Sequence, residues 1–195
     1  RLLGTTVDDA AGEAFDKVGR LLGLGYPGGP AISRAAERAV ARDRVFPRAW
    51  MGDSFDLSFS GLKTAARRII AGARSDAGLP ADERDGGPLP DAVVAELAWG
   101  FQDSVVDVLA TKAIRAAEEV GARGIVLGGG VAANAALRER ISGEAAARGL
   151  AMVIPRPGLC TDNGAMIGAA GARRLAAGVR AGMDLDARPS LPLAR

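Results

Sequence analysis

The sequence contains no histidine. Any step that needs an imidazole, whether as base, proton shuttle or metal ligand, must draw it from outside these residues. A single cysteine, Cys160, excludes a disulfide within the chain and fits a reducing compartment. Without a histidine to deprotonate it, that thiol makes a poor nucleophile. No apolar run reaches membrane-spanning length, and no charged, apolar, small-residue signal opens the chain. The expectation is a soluble, cytoplasmic protein with no membrane partner. Neither sign of charge dominates: 25 basic residues meet 23 acidic ones, for a net charge of +2. That balance does not advertise a nucleic-acid surface. Lysine is scarce, with only Lys17, Lys63 and Lys112 among the basic residues. Arg67, Arg68 and Arg74 could form a local basic patch, although surface solvation accounts for each more simply. There is no initiating methionine. Arg1-Leu2-Leu3-Gly4 starts abruptly, as if cut from a longer reading frame.

What is present suits one or two globular domains: 195 residues, 48% hydrophobic and 25% charged. The first part, residues 1–120, reads as mainly helical. Phe15, Val18 and Leu22 recur at helical spacing before Gly23 and Gly25. Pro30 suits a first helical turn, with Ile32, Ala35, Ala36 and Val40 continuing an apolar face. Ser60 can cap a helix striped by Leu62, Ala65, Ala66, Ile69 and Ile70. Residues 74–90 read as a mobile connector, rich in proline, glycine and charge. Pro90 then opens a long helix, running to about residue 120 and roughly 45 Å in length. Val94, Leu97, Phe101, Val105, Val108 and Leu109 form its inner face.

From Gly121 the rhythm changes, and residues 121–195 read as an α/β unit. Residues 124–127 and 150–154 are the strands; residues 132–148 and 163–177 are the helices. The tail after Gly178 is proline-rich and is expected to wrap the surface. At the first strand-to-helix junction stands Gly128-Gly129-Gly130. Three residues without Cβ atoms beside unpaired helix N–H groups can cradle an anion such as a phosphate. The same glycines serve equally well as a tight turn.

Four further motifs carry chemistry. Asp8 and Asp9 open a helical stretch, where acids commonly complement the helix dipole. Asp16 lies beside the apolar stripe and could meet ribose hydroxyls or a lysine. Tyr26-Pro27-Gly28-Gly29-Pro30 feeds a proline-started helix and would present bare backbone at its N-terminus. Ser60-Gly61-Leu62-Lys63-Thr64 is not a P-loop: Leu62 separates the glycine from the lysine, and Asp56 stands where the earlier glycine belongs. Asp162, in the loop at residues 157–164, is by default a helix N-cap. It could also be one carboxylate ligand of a metal at a sheet end, given partners from elsewhere.

In order along the chain, DDAAGEAFDK (residues 8–17), YPGGP (26–30), SFSGLKT (58–64), LGGGVAAN (127–134) and CTDNGAMI (160–167) resemble the tRNA threonylcarbamoyladenosine transferase family, once called the glycoprotease family. The resemblance implies an α/β fold similar to the actin, sugar-kinase and heat-shock ATPase group, with two lobes around a nucleotide cleft. It places a large helical insertion in this chain and the N-terminal lobe outside it. It implies transfer of threonylcarbamoyl from its adenylate to the adenosine beside the anticodon, in tRNAs reading codons that begin with A. Asp16 and Gly29 match positions that hold the adenylate. Asn134, following Gly129 and Gly130, matches a nucleotide contact. Ser33 stands where some relatives carry a glutamate near the ribose. Asp162 matches a ligand of one divalent metal, iron by preference and zinc as the alternative, with the remaining ligands outside the chain. The implied partners are tRNA, the N-terminal lobe, a catalytically poor paralogue and a small P-loop ATPase.

Two family features are missing: a His-x-x-x-His metal motif and a Ser-Gly-Gly-His substrate loop. The chain therefore resembles the C-terminal portion of such an enzyme, inactive alone. No residue in it is a convincing general base for the adenosine amine. The competing reading is a non-catalytic nucleotide-binding or scaffold module that pairs with another chain. A metalloprotease is excluded by the lack of His-Glu-x-x-His and of a nucleophile with its base.

Overall fold

Phe15, Val18 and Leu22 do line one side of a helix, and they turn it into the core. The computed structural model describes residues 1–81 and 86–187. Four helices come first: α1 (Ala11–Leu21), α2 (Gly28–Ala36), α3 (Ser60–Asp76) and the long α4 (Asp91–Glu119). Then follow β1 (Gly124–Val126), a 3-10 turn (Gly130–Ala133), α5 (Ala135–Ala147), β2 (Ala151–Val153), a second 3-10 turn (Pro157–Leu159) and α6 (Gly164–Ala176). No helix among the described residues is long and apolar enough to cross a membrane.

The spine is α4, which faces two cores. Val94, Leu97, Phe101, Val105 and Val108 join α1, α2 and α3 in the larger one. Val106, Ala110 and Ile114 meet Leu137 and Ile141 of α5 in the smaller. Phe101 is fully buried, edge-on to Phe15 at 5.2 Å and to Phe46 at 6.0 Å between ring centroids. Such edge-to-face pairs add attraction beyond the area they bury.

A strap of irregular chain from Val40 to Phe59 runs along α4. Arg44 pairs with Glu96 at 3.6 Å, and Arg48 binds both Asp103 and Asp107. Burial opposes the Arg48 charge, but the two carboxylates raise its pKa above the usual arginine value. Ser104 Oγ donates to the Pro47 carbonyl at 2.7 Å, and Lys112 Nζ donates to the Asp56 carbonyl. Gly100 makes the close approach possible: a Cβ there would stand 2.2 Å from the Arg44 carbonyl oxygen.

β1 and β2 pair in parallel, with Gly124 opposite Ala151 and Val126 opposite Val153. The crossover between them is α5, as parallel pairing requires. The result is a mixed helical and strand architecture with a two-stranded parallel sheet among the described residues.

Several sequence expectations need correction. Val40 does not extend the α2 face; α2 ends at Ala36, and Val40 is 97% exposed. Helix α5 begins at Ala135 rather than 132, because the 3-10 turn intervenes. Arg74 belongs to no surface patch. It is buried near the end of α3 and donates to the carbonyls of Pro80 and Gly87, so it anchors the connector at both ends. Residues 82–85 of that connector lie outside the described residues. So do residues 188–195, which include the tail prolines Pro189 and Pro192; residues 178–187 are exposed.

Candidate functional site

Contacts link four chain segments in succession: α2, α1, the glycine turn and the loop before α6. Gly28 N donates to Asp16 Oδ1 at 2.7 Å, so α1 holds the first residue of α2 through a carboxylate. Gly28 has no room for a side chain: a Cβ would lie 2.4 Å from the Phe15 carbonyl oxygen and 2.5 Å from Asp16 Cα. At Gly29 the space is open, and its backbone is accessible to a ligand. Ser33 follows one turn later on α2, partly buried. Asp16, Gly29 and Ser33 thus share the α1–α2 corner.

The second group is the glycine turn. Gly129 has φ +88°, in the left-handed region where a side chain is strained, with nothing within 4 Å of its missing Cβ. Gly130 starts the 3-10 turn, and Asn134 ends it. Asn134 then caps α5: its Oδ1 accepts from Leu137 N at 3.0 Å. Its Nδ2 donates to Gln102 Oε1 on α4 at 2.8 Å. One Nδ2 hydrogen remains for a ligand. Gln102 escaped the sequence reading, although a lone glutamine beside Phe101 on an apolar face was the available signal. It fixes the Asn134 amide from behind.

The two groups are neighbours. The Cβ position of Gly12, in the first turn of α1, is 3.7 Å from Val131 Cγ2. That of Gly130 is 3.9 Å from Thr161 Cγ2, which brings the Asp162 loop alongside the glycine turn. Asp162 itself is exposed and is not the helix cap. Asn163 performs that role, accepting from Met166 N at 2.9 Å. The Asp162 carboxylate has no hydrogen bond or ion pair among the described residues and is open to an external partner.

Asp8 does not serve the α1 dipole. Asp8 caps α3 from a distance, accepting from Phe59 N, Ser60 N and the hydroxyls of Ser58 and Ser60. Ser60 is therefore the first residue of α3 rather than its cap. The two hydroxyls, then the backbone N–H groups, lower the Asp8 pKa from 3.8 to about 2. A depressed carboxylate stabilises the fold above its unfolded pKa and loses that contribution as pH falls through the folded one. The stability gap between the parent and Asp8→Asn is expected to narrow as pH drops from about 4 to about 2. Urea midpoints across that range would show it, and a constant gap would refute the capping role. Asp9 sits between Lys17 and Lys63, and the Lys17 hydrogen bond is the main cause of its lowered pKa.

No three His, Cys, Asp or Glu side chains among the described residues stand together to hold a metal ion. Asp162 suits one hard oxygen ligand. Cys160 adds no second one: it is buried, Arg138 donates to its sulfur, and the carbonyls of Pro155 and Arg156 lie beside it. The residues present fit one ligand of a shared site and not a complete site.

Helices around a two-stranded parallel sheet, with an open glycine turn beside it, make this an α/β protein. A family model described as TsaD, tRNA N6-adenosine threonylcarbamoyltransferase, matches residues 1–169. A tRNA N6-adenosine threonylcarbamoyltransferase from Thermomicrobium roseum is 51% identical over 98% of this chain. The chain belongs to the tRNA N6-adenosine threonylcarbamoyltransferase family. It spans 54% of that relative's length.

Proposed function

We propose that this chain is the C-terminal portion of a cytoplasmic enzyme that transfers threonylcarbamoyl from its adenylate to the adenosine beside the anticodon of tRNA. The adenosine N6 amine attacks the carbamoyl carbonyl, a C–N bond forms, the bond from that carbon to the phosphate oxygen breaks, AMP leaves, and the amine gives up one proton to solvent. The observation that carries the reading is the convergence of separate motifs on one face: Asp16 bonded to Gly28, Gly12 beside Val131, and Gly130 beside Thr161.

In this reading the accessible backbone at Gly29, Gly129 and Gly130 receives the adenylate. The second Asp16 oxygen and Ser33 meet the ribose, and the remaining Asn134 N–H contacts the nucleotide. Much of the rate then comes from orientation of the two substrates. Asp162 would hold a divalent metal, iron in preference to zinc, together with donors outside the chain. Such a metal, when bound, supplies Lewis-acid polarisation.

Those donors belong to an N-terminal lobe, the second half of an actin-like cleft. The bareness of α6 supports a body beyond this chain: it buries no residue among those described, and Met166, Ile167 and Leu175 are exposed. A paralogue and a small P-loop ATPase complete the proposed complex.

The test is nucleotide binding by the full-length protein. ATP is expected to bind, and Asn134→Ala to weaken it about tenfold, the size of one charge-free hydrogen bond. Failure of ATP to bind at millimolar concentration would remove the nucleotide site. Binding without tRNA modification would leave the scaffold reading in its place.

A further inference from the structure

Arg138 stands one turn into α5, four residues after Asn134, and its guanidinium reaches three acceptors in two segments of the chain. Nε donates to the Ala132 carbonyl at 2.5 Å. One terminal nitrogen donates to the Pro155 carbonyl at 2.6 Å and to Cys160 Sγ at 3.1 Å. These acceptors lie in the turn after the glycines, just beyond β2, and in the loop that carries Asp162. No carboxylate pairs with Arg138 among the described residues, so its charge serves carbonyls and a thiol alone.

The loop at residues 155–163 has few other ties. Its backbone bonds, Leu159 N to the Arg156 carbonyl and Cys160 N to the Pro157 carbonyl, close it upon itself. Asn163 Nδ2 bonds within the loop to the Thr161 carbonyl. Among the described residues, only Arg138 links this loop to the glycine turn and α5 through side-chain hydrogen bonds, while Asn163 ties it onward to α6.

We propose that Arg138 is a positioning residue: it holds the loop at residues 155–163 against the glycine turn and sets where Asp162 stands relative to Gly129 and Gly130. The inference rests on the function proposed above. A planar fork of five donors can serve three divergent acceptors at once, which a lysine ammonium on a flexible stem cannot.

The test uses full-length protein carrying Arg138→Met or Arg138→Lys, both checked for native circular dichroism. Cys160 is 5% exposed, and its labelling by a maleimide, read on its own peptide by mass spectrometry, reports loop opening without requiring activity. Arg138→Met is expected to speed labelling about tenfold or more and to lower kcat by a similar factor, with the KM for tRNA unchanged. Arg138→Lys should fail to restore either. Unchanged labelling overturns the proposal, whatever happens to kcat. So does hydrogen exchange that rises equally along α5, which would mark general destabilisation. If Asn134→Ala leaves ATP binding intact, the nucleotide reading fails. The Cys160 labelling still decides the role of Arg138.

Discussion

Replacing Asp162 by alanine in the full-length protein is expected to lower tRNA threonylcarbamoylation at least about a hundredfold while leaving the fold intact. The carboxylate is exposed and has no internal partner, so removing it leaves nothing buried and unpaired. Surface changes of that kind usually stay within about 0.5 kcal/mol. Loss of even an outer partner of a metal commonly costs about 10–100-fold, and a direct ligand costs no less. The measurement is modified nucleoside released from tRNA, with bound metal determined on the same samples. Full activity at undiminished metal content would end the ligand assignment.

Phe101→Ala is the largest expected change in stability, a loss of about 3–5 kcal/mol. The ring is completely buried on α4 and sits between Phe15 and Phe46, so truncation opens a cavity where α1, α4 and the strap meet. Both edge contacts disappear with it. A drop in urea midpoint with an unchanged denaturant slope would show the loss, against Val40→Ala as an exposed control. A loss below about 1 kcal/mol would mean that the core is not centred on this ring.

The helical stripes of α1, α3 and α4 were legible because each repeats apolar residues over several turns. At element ends the sequence signals were ambiguous, and side-chain contacts visible only in the folded chain resolved them. Ser60 has the chemistry of a cap, yet Asp8 supplies the cap because the chain folds back across 52 residues. Asp162 and Asn163 are both competent caps; the amide does the capping, and the carboxylate stays exposed. Arg74 looked like solvated surface in a polar segment, but its guanidinium turns inward to two carbonyls of the following loop. The glycine junction resolved in part: Gly129 does need a left-handed backbone, which supports the turn, and its open surroundings also leave room for a ligand.

Five short motifs in fixed order were enough to indicate the family, because each preserves local backbone or side-chain chemistry that reads directly from residue type. The missing histidines likewise mean that this stretch alone cannot supply an imidazole. Only the tertiary structure joined Asp16 to Gly28, set Gln102 behind Asn134 and carried Arg138 to Pro155 and Cys160. Those contacts depend on the relative placement of segments 12 to 32 residues apart in sequence. Helix packing decides that placement, and no local periodicity records which side chains will meet.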